Sequence, residues 1–163
     1  MLTREQFLPH EMRIVAALRI QGASDEQVIV CVKSENLFQY PTERMVANRA
    51  TVCLRRLDAM VPTDAACAAR GIDPNTAVEA ASSLTSLMAS GTPTQADQAI
   101  FYSMICRYDI VRELVLVEVG ERLQNFDYAF TAVDLNAFMT RFTTEYPDAA
   151  RWTESTVTRI KGS

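Results

Sequence analysis

Residues 42–60 read Thr-Glu-Arg-Met-Val-Ala-Asn-Arg-Ala-Thr-Val-Cys-Leu-Arg-Arg-Leu-Asp-Ala-Met, and the predicted fold depends most on this stretch. Thr42 follows a proline and is a good N-cap, so a helix is predicted from Glu43 to about Met60. At 100° per residue, one side of this helix is apolar. That side carries Val46, Ala50, Cys53, Leu54 and Leu57. A long helix with one apolar side is typical of a helical domain with a buried core.

The other side of the predicted helix is polar, and no acidic residue lies between Arg44 and Arg56. Four side chains fall within about 60° of one another on a helical wheel, namely Arg44, Asn48, Thr51 and Arg55. Two more arginines, Arg49 and Arg56, flank the apolar stripe. Arginine binds phosphates and guanine edges, and asparagine binds adenine, so these six residues are the predicted nucleic-acid ligands. A solvated helix face without a ligand is the alternative interpretation.

Glycine and proline together number only 11 of 163 residues, which favours helices throughout the chain. Helices predicted over residues 9–21 and 24–34 precede the 42–60 stretch, and this is a helix-turn-helix order. The connector between the second and third helices is longer than is usual for that motif. Further helices are predicted over residues 64–70, 74–90, 94–123 and 132–146, with a last one after Thr153.

The predicted 94–123 helix contains two features that could interrupt it. A bend is expected near Tyr108 and Asp109. The run Leu114 to Val119 could also form a buried strand, because short apolar runs do not separate the two states.

Composition excludes several classes of protein. Hydrophobic residues are 48% and charged residues 22% of the chain, which is ordinary for a soluble globular protein. No run of 18 apolar residues exists, so no membrane span is expected. The four cysteines form no CxxC pair and indicate a reduced, cytoplasmic protein with buried thiols.

Enzyme signatures are absent from the sequence. It has no GxGxxG, GxxxxGK[ST], HExxH or GxSxG motif, and His10 is the only histidine. The sequence therefore predicts no enzyme activity, no catalytic residues, no cofactor and no metal. Net charge is −4, yet residues 1–61 carry eight Lys/Arg against seven Asp/Glu, which places any anion-binding surface in the first third.

Short motifs extend along most of the chain. Around the 42–60 stretch they are Glu-Asn-Leu-Phe-Gln from Glu35, Thr-Glu-Arg-Met-Val-Ala-Asn-Arg from Thr42, and Cys-Leu-Arg-Arg-Leu from Cys53. Elsewhere they are His-Glu-Met-Arg-Ile-Val-Ala-Ala-Leu from His10, Ser-Asp-Glu from Ser24, Tyr-Asp-Ile-Val-Arg-Glu from Tyr108, and Trp-Thr-Glu-Ser-Thr from Trp152, with Lys161. Over residues 9–161 the chain resembles the BrxA family of bacterial BREX phage-exclusion systems.

The resemblance implies a small all-helical protein with the fold of the NusB antitermination factor and a helix-turn-helix-like N-terminal part. It also implies a non-catalytic DNA-binding component of phage defence, and five of the six candidate residues lie in the matching segment. Family members are often labelled inner-membrane proteins, which the lack of a long apolar run contradicts. Members are expected to continue past Ser163, and residues 63–94 match only in length and helical character.

The sequence thus predicts an all-α fold, in which a helix-turn-helix-like three-helix unit over residues 1–61 packs on a helical bundle over residues 62–163, as one compact domain. The predicted function is cytoplasmic, non-catalytic binding of duplex DNA, alongside other phage-defence proteins and away from the membrane. Two alternatives remain open. One is a protein–protein adaptor that never contacts nucleic acid, and the other is an RNA-binding protein.

Overall fold

The computed structural model describes residues 7–161, apart from the side chain of Arg159. Within that range every regular element is helical, which confirms the predicted all-α class. The described chain divides into two compact units, residues 7–107 and residues 108–161. The predicted division between residues 61 and 62 therefore falls at a different place from the division seen in the structure.

The helices of the first unit begin and end close to the predicted residues, except that the last one ends at Arg107, inside the predicted 94–123 helix. These are α1 (Pro9–Ile20), α2 (Asp25–Ser34), α3 (Glu43–Asp58), α4 (Asp64–Arg70), α5 (Pro74–Ser90) and α6 (Pro93–Arg107). Capping explains the agreement. The Ser24 hydroxyl accepts from the Gln27 backbone N–H at 3.3 Å, and the Gln27 side chain accepts from the Ser24 backbone N–H at 2.8 Å. Gly71 ends α4 in the left-handed conformation, with φ of 65°.

Helix α1 lies at the centre of the first unit. It packs most extensively on α5 and also contacts α2, α3 and α6. Met12 and Val15 of α1, Met88 of α5 and Ile100 of α6 are completely buried in the shared core. Because α1 and α3 share this core with α5 and α6, the first three helices belong to one compact unit with the next three.

One arginine lies inside this core. Arg56 of α3 has an exposed fraction of 0%, and its Nη1 donates a hydrogen bond to the Phe7 carbonyl at 3.0 Å. The sequence placed Arg56 among the phosphate ligands, and the structure corrects that assignment. Position on a helical wheel gives the direction of a side chain but not its depth, and the Phe7 carbonyl lies far away in the sequence.

The second unit begins where α6 ends. Its elements are α7 (Asp109–Arg112), a π-helical segment (Glu113–Val119), α8 (Gly120–Gln124), α9 (Ala132–Glu145), a 3-10 turn (Ala149–Arg151) and α10 (Glu154–Lys161). Tyr108 has an extended backbone between α6 and α7, which confirms the expected bend. The strand alternative for residues 114–119 is wrong. The Gly120 N–H bonds to the Val115 carbonyl five residues back, as in a π-helix.

Arg122 of α8 organises the loop between α8 and α9. Its Nη1 donates to Asp127 at 2.7 Å and to the Ala129 carbonyl at 2.9 Å, and its Nη2 donates to Asp134 at 2.7 Å. Asp134 also accepts from the Thr131 backbone N–H at 2.7 Å and from the Thr131 hydroxyl at 2.6 Å. The start of α9 is therefore capped and tied to α8 by one guanidinium.

Aromatic rings provide much of the second unit's core. Phe142 of α9 stacks on Tyr146 with ring centroids 4.2 Å apart, and it contacts Trp152 at 5.9 Å. Phe138 lies on the same side of α9, with its ring centroid 5.8 Å from that of Phe142. The buried side of α9 thus carries Phe138, Met139 and Phe142.

Neighbouring arginines on α3 are expected to differ in their contribution to stability. Arg56→Ala should lower the free energy of unfolding by about 2–4 kcal/mol, because it leaves a cavity and an unpaired carbonyl. The matched variant Arg55→Ala removes an exposed side chain and should change stability by less than about 0.5 kcal/mol. Urea denaturation of both variants measures the difference. Equal losses would show that Arg56 is not a core residue.

Stability is expected to depend on the ionisation of Asp134. The hydrogen bonds from Thr131, and then the charge of Arg122, hold the pKa of the Asp134 carboxyl below its ordinary value of 3.8. A carboxyl with a lowered pKa stabilises the fold above its unfolded pKa, and this contribution is lost as the pH falls through the folded value. Asp134→Asn should therefore lower the urea midpoint at neutral pH. Its difference from the native protein should shrink as the pH falls below about 4. A difference that does not change with pH would contradict this assignment.

Candidate nucleic-acid interface

Burial of one stripe orients α3. Val46, Ala50 and Cys53 are almost completely buried, and Leu54 and Leu57 lie beside them, as the sequence predicted. The opposite side of the helix consequently faces solvent. Arg44, Asn48 and Arg55 are exposed on that side, and Thr51 is half-buried among them. The Thr51 hydroxyl donates to the Ala47 carbonyl at 2.9 Å, so its proton is already engaged within the helix.

The two exposed arginines of α3 lack a counter-charge within the part of the chain that the structure describes. Among residues 7–161, neither Arg44 nor Arg55 forms an ion pair. The acids at the two ends of α3 are engaged elsewhere, since Glu43 pairs with Lys33 at 3.3 Å and Asp58 pairs with Arg19 at 3.0 Å. As far as the described residues show, both guanidiniums therefore keep their N–H donors available to a ligand from solvent.

Arg49 occupies an intermediate position on α3. Its side chain is half-buried and lies close enough to Tyr40 for its charge to act on the phenol. Burial, followed by the hydrogen bond to Glu11, raises the pKa of Tyr40, and the charge of Arg49 opposes that rise. Arg49 therefore borders the exposed face and contributes to packing at the same time. Arg56, buried beneath, does not belong to the face.

The connector between α2 and α3, residues 35–42, is a packed segment. The Asn36 side chain donates to the Tyr40 carbonyl at 3.0 Å and accepts from the Tyr40 backbone N–H at 3.2 Å. Phe38 is buried and meets the Tyr40 ring edge-on at 6.3 Å. The Tyr40 hydroxyl donates to the buried carboxylate of Glu11 on α1. These contacts fix the path of the chain into α3.

The hydrogen bonds of this connector could not be predicted from the sequence. Tyr40 stands in an apolar context, and Glu11 stands at a helix start where a solvated acid is ordinary. Only the tertiary packing of α1 against α3 brings the Tyr40 hydroxyl to Glu11. No local pattern could have shown this pair.

Three further expectations from the sequence concern the cysteines, metal binding and membrane spans. Cys53 and Cys67 are buried, whereas Cys31 and Cys106 are only half-buried, which corrects the expectation of four buried thiols. Among the described residues, no three His, Cys, Asp or Glu side chains are grouped so that they could hold a metal ion. No helix in this part of the chain combines the length and the apolar character that a membrane crossing requires.

Of the comparisons with known proteins, only the one with family models gives a match. No curated protein and no solved structure shows a significant match to the chain. The family model described as BrxA matches residues 1–163, which is the full length of the sequence. That match includes α3 and its exposed arginines, and the chain belongs to the BrxA family.

Proposed function

We propose that this protein is a non-catalytic DNA-binding component of a BREX phage-defence system, and that it grips duplex DNA with the exposed face of α3. The observation that carries the proposal is the arrangement of Arg44, Asn48 and Arg55 on the solvent-facing side of α3, without carboxylate partners among residues 7–161. Membership of the BrxA family supports an association with phage-exclusion systems.

The dimensions of the face suit a duplex. Arg44 and Arg55 are separated by eleven residues, or about 16 Å along the helix axis at 1.5 Å per residue. Asn48 lies one turn from Arg44, about 6 Å along the same axis. The major groove of B-DNA is about 12 Å wide and admits one α-helix. In this proposal α2, the packed connector and α3 act as the helix-turn-helix element.

The six candidate residues then divide by role. Arg44, Asn48 and Arg55 approach base edges and phosphates from the exposed side of the helix. Arg49 adds charge at the border of the face, and Thr51 offers its hydroxyl oxygen as an acceptor. Arg56 supports the helix from inside the core and takes no part in contact with DNA.

The overall charge of −4 does not oppose this mode of binding. Electrostatic attraction acts over about 8 Å at physiological ionic strength, so local charge matters more than net charge. Residues 43–58 carry four arginines against two acids, and both of those acids are paired with cations outside α3. The exposed side of α3 is therefore locally positive.

Binding of a labelled duplex, followed by fluorescence anisotropy across a salt series, tests the proposal. We expect log K for the native protein to fall linearly with log salt, because phosphate contacts release counterions. The double variant Arg44→Ala/Arg55→Ala should bind at least about tenfold more weakly, and its slope should be smaller by about 2, or about 0.9 per lost contact.

The matched control is Arg70→Ala/Arg151→Ala, which removes two exposed arginines outside α3 and changes net charge equally. It should bind like the native protein. Equal weakening of both double variants would show non-specific attraction and would remove α3 as the site. Absence of binding at low salt would favour the adaptor function instead. If single-stranded RNA competes for the protein more strongly than duplex DNA does, the ligand is RNA and not duplex DNA.

A further inference from the structure

The loop that follows α8 exposes several large apolar side chains. Residues 126–131, here called the aromatic loop, carry Phe126 with 78% of its surface exposed, Tyr128 with 74% and Phe130 with 40%. Leu123 before the loop and Val133 after it are also exposed. Single exposed apolar residues are ordinary, but a contiguous group of this size marks an interaction site in a folded protein.

Phe126 adopts a backbone conformation that does not suit its side chain. It follows the end of α8 with φ of 58°, and its N–H bonds to the Leu123 carbonyl at 3.2 Å. The Asp127 N–H bonds to the Arg122 carbonyl at 2.9 Å. These two bonds form the helix ending in which glycine is preferred at the left-handed position. Stability would favour glycine there, so an exposed phenylalanine at this position points to a role outside folding.

From Asp127 to Thr131, every second residue of the aromatic loop uses its backbone in an internal hydrogen bond. The N–H and C=O of Ala129 bond to Asp127 and Arg122, and the N–H of Thr131 bonds to Asp134. The N–H and C=O of Tyr128 and Phe130 have no hydrogen-bond partner among residues 7–161. In an edge strand the groups of every second residue likewise face outward, ready to pair with another chain.

The surroundings of the aromatic loop are acidic. Residues 118–141 contain Glu118, Glu121, Asp127 and Asp134 against only Arg122 and Arg141. Arg122 pairs with Asp127 and Asp134, and Arg141 pairs with Glu118 at 2.7 Å. Four acids against two arginines leave this segment with a net charge of −2, and Glu121 is exposed and forms no ion pair among residues 7–161. A nucleic acid would be repelled here, and so would a second copy of the same acidic surface. A basic partner would be attracted.

We propose that the aromatic loop docks an extended segment of a partner protein in which lysine or arginine alternates with apolar side chains. The partner segment pairs its backbone with Tyr128 and Phe130, and its apolar side chains cover the exposed rings. Its basic side chains meet the acids around the loop. This is recognition by strand addition. The surface is distinct from α3, and the proposal does not depend on DNA binding.

Selection from a displayed library of random 12-residue peptides tests this proposal with the full chain as bait. Peptides that also bind the variant Phe126→Gly/Tyr128→Ser are discarded, because they bind outside the aromatic loop. Peptides that survive are expected to carry Lys or Arg alternating with apolar residues. A synthetic peptide of the selected consensus should bind the native protein at least tenfold more tightly than it binds the variant. Hydrogen exchange at the Tyr128 and Phe130 amides should slow when this peptide is bound.

Measuring the Tm together with peptide binding distinguishes a misfolded variant from one that has lost only the docking surface. Phe126→Gly alone relieves the left-handed strain and should raise the Tm, by about 2 °C, while it weakens peptide binding. The control Val30→Ser/Val78→Ser removes exposed apolar side chains from α2 and α5 and should leave peptide binding unchanged.

Several results would overturn the proposal. One is a selection that yields no peptide able to distinguish the native protein from the variant. Another is a consensus without basic residues. A third is a concentration-dependent dimer in sedimentation that the variant abolishes, since a second copy would then be the occupant of the aromatic loop.

Discussion

The rotation of α3 about its own axis is set by burial of Val46, Ala50 and Cys53, and the direction in which its polar side chains point depends on that setting. Burial of each such side chain stabilises the fold by up to about 3 kcal/mol, whereas an exposed ion pair contributes at most about 1 kcal/mol. The apolar stripe therefore decides the register. The polar side of α3 faces solvent because the apolar side faces the core. Arg55 and Arg56 are adjacent in sequence, and the 100° step between them separates solvent from core.

Two buried charged groups attach irregular segments to this helical frame. Arg56 binds the Phe7 carbonyl just before α1, and Glu11 accepts the Tyr40 hydroxyl from the connector before α3. A buried charge is costly unless it is hydrogen-bonded, so each contact holds its segment in one position. The segments that enter α1 and α3 are thus fixed by polar contacts, while the helices themselves are fixed by apolar ones. The connector positions α3 without belonging to a regular element.

Local signals in the sequence were sufficient for most helix boundaries, because capping is local chemistry. Ser24 with Gln27, and Gly71 at the end of α4, act within one turn of the residues they satisfy. The burial of Arg56 and the Glu11–Tyr40 contact were not predictable, because both depend on residues brought together from distant parts of the chain. The π-helical segment was missed for another reason. Valines at 115, 117 and 119 suit strand and helix alike, and packing decides between them.

The exposed side of α3 and the aromatic loop differ in the ligands they admit, and their chemistry explains why one cannot replace the other. On α3, Arg44 and Arg55 form no ion pair with any other described residue, and their regular spacing on a helix suits a polyanion of regular shape. The aromatic loop offers open backbone groups and rings within an acidic surrounding, which suits an extended basic peptide. Phosphates would be attracted to the first surface and repelled from the second. Under the two proposals, a nucleic acid and a protein segment contact different residues of the chain, so the two ligands do not compete for the same side chains.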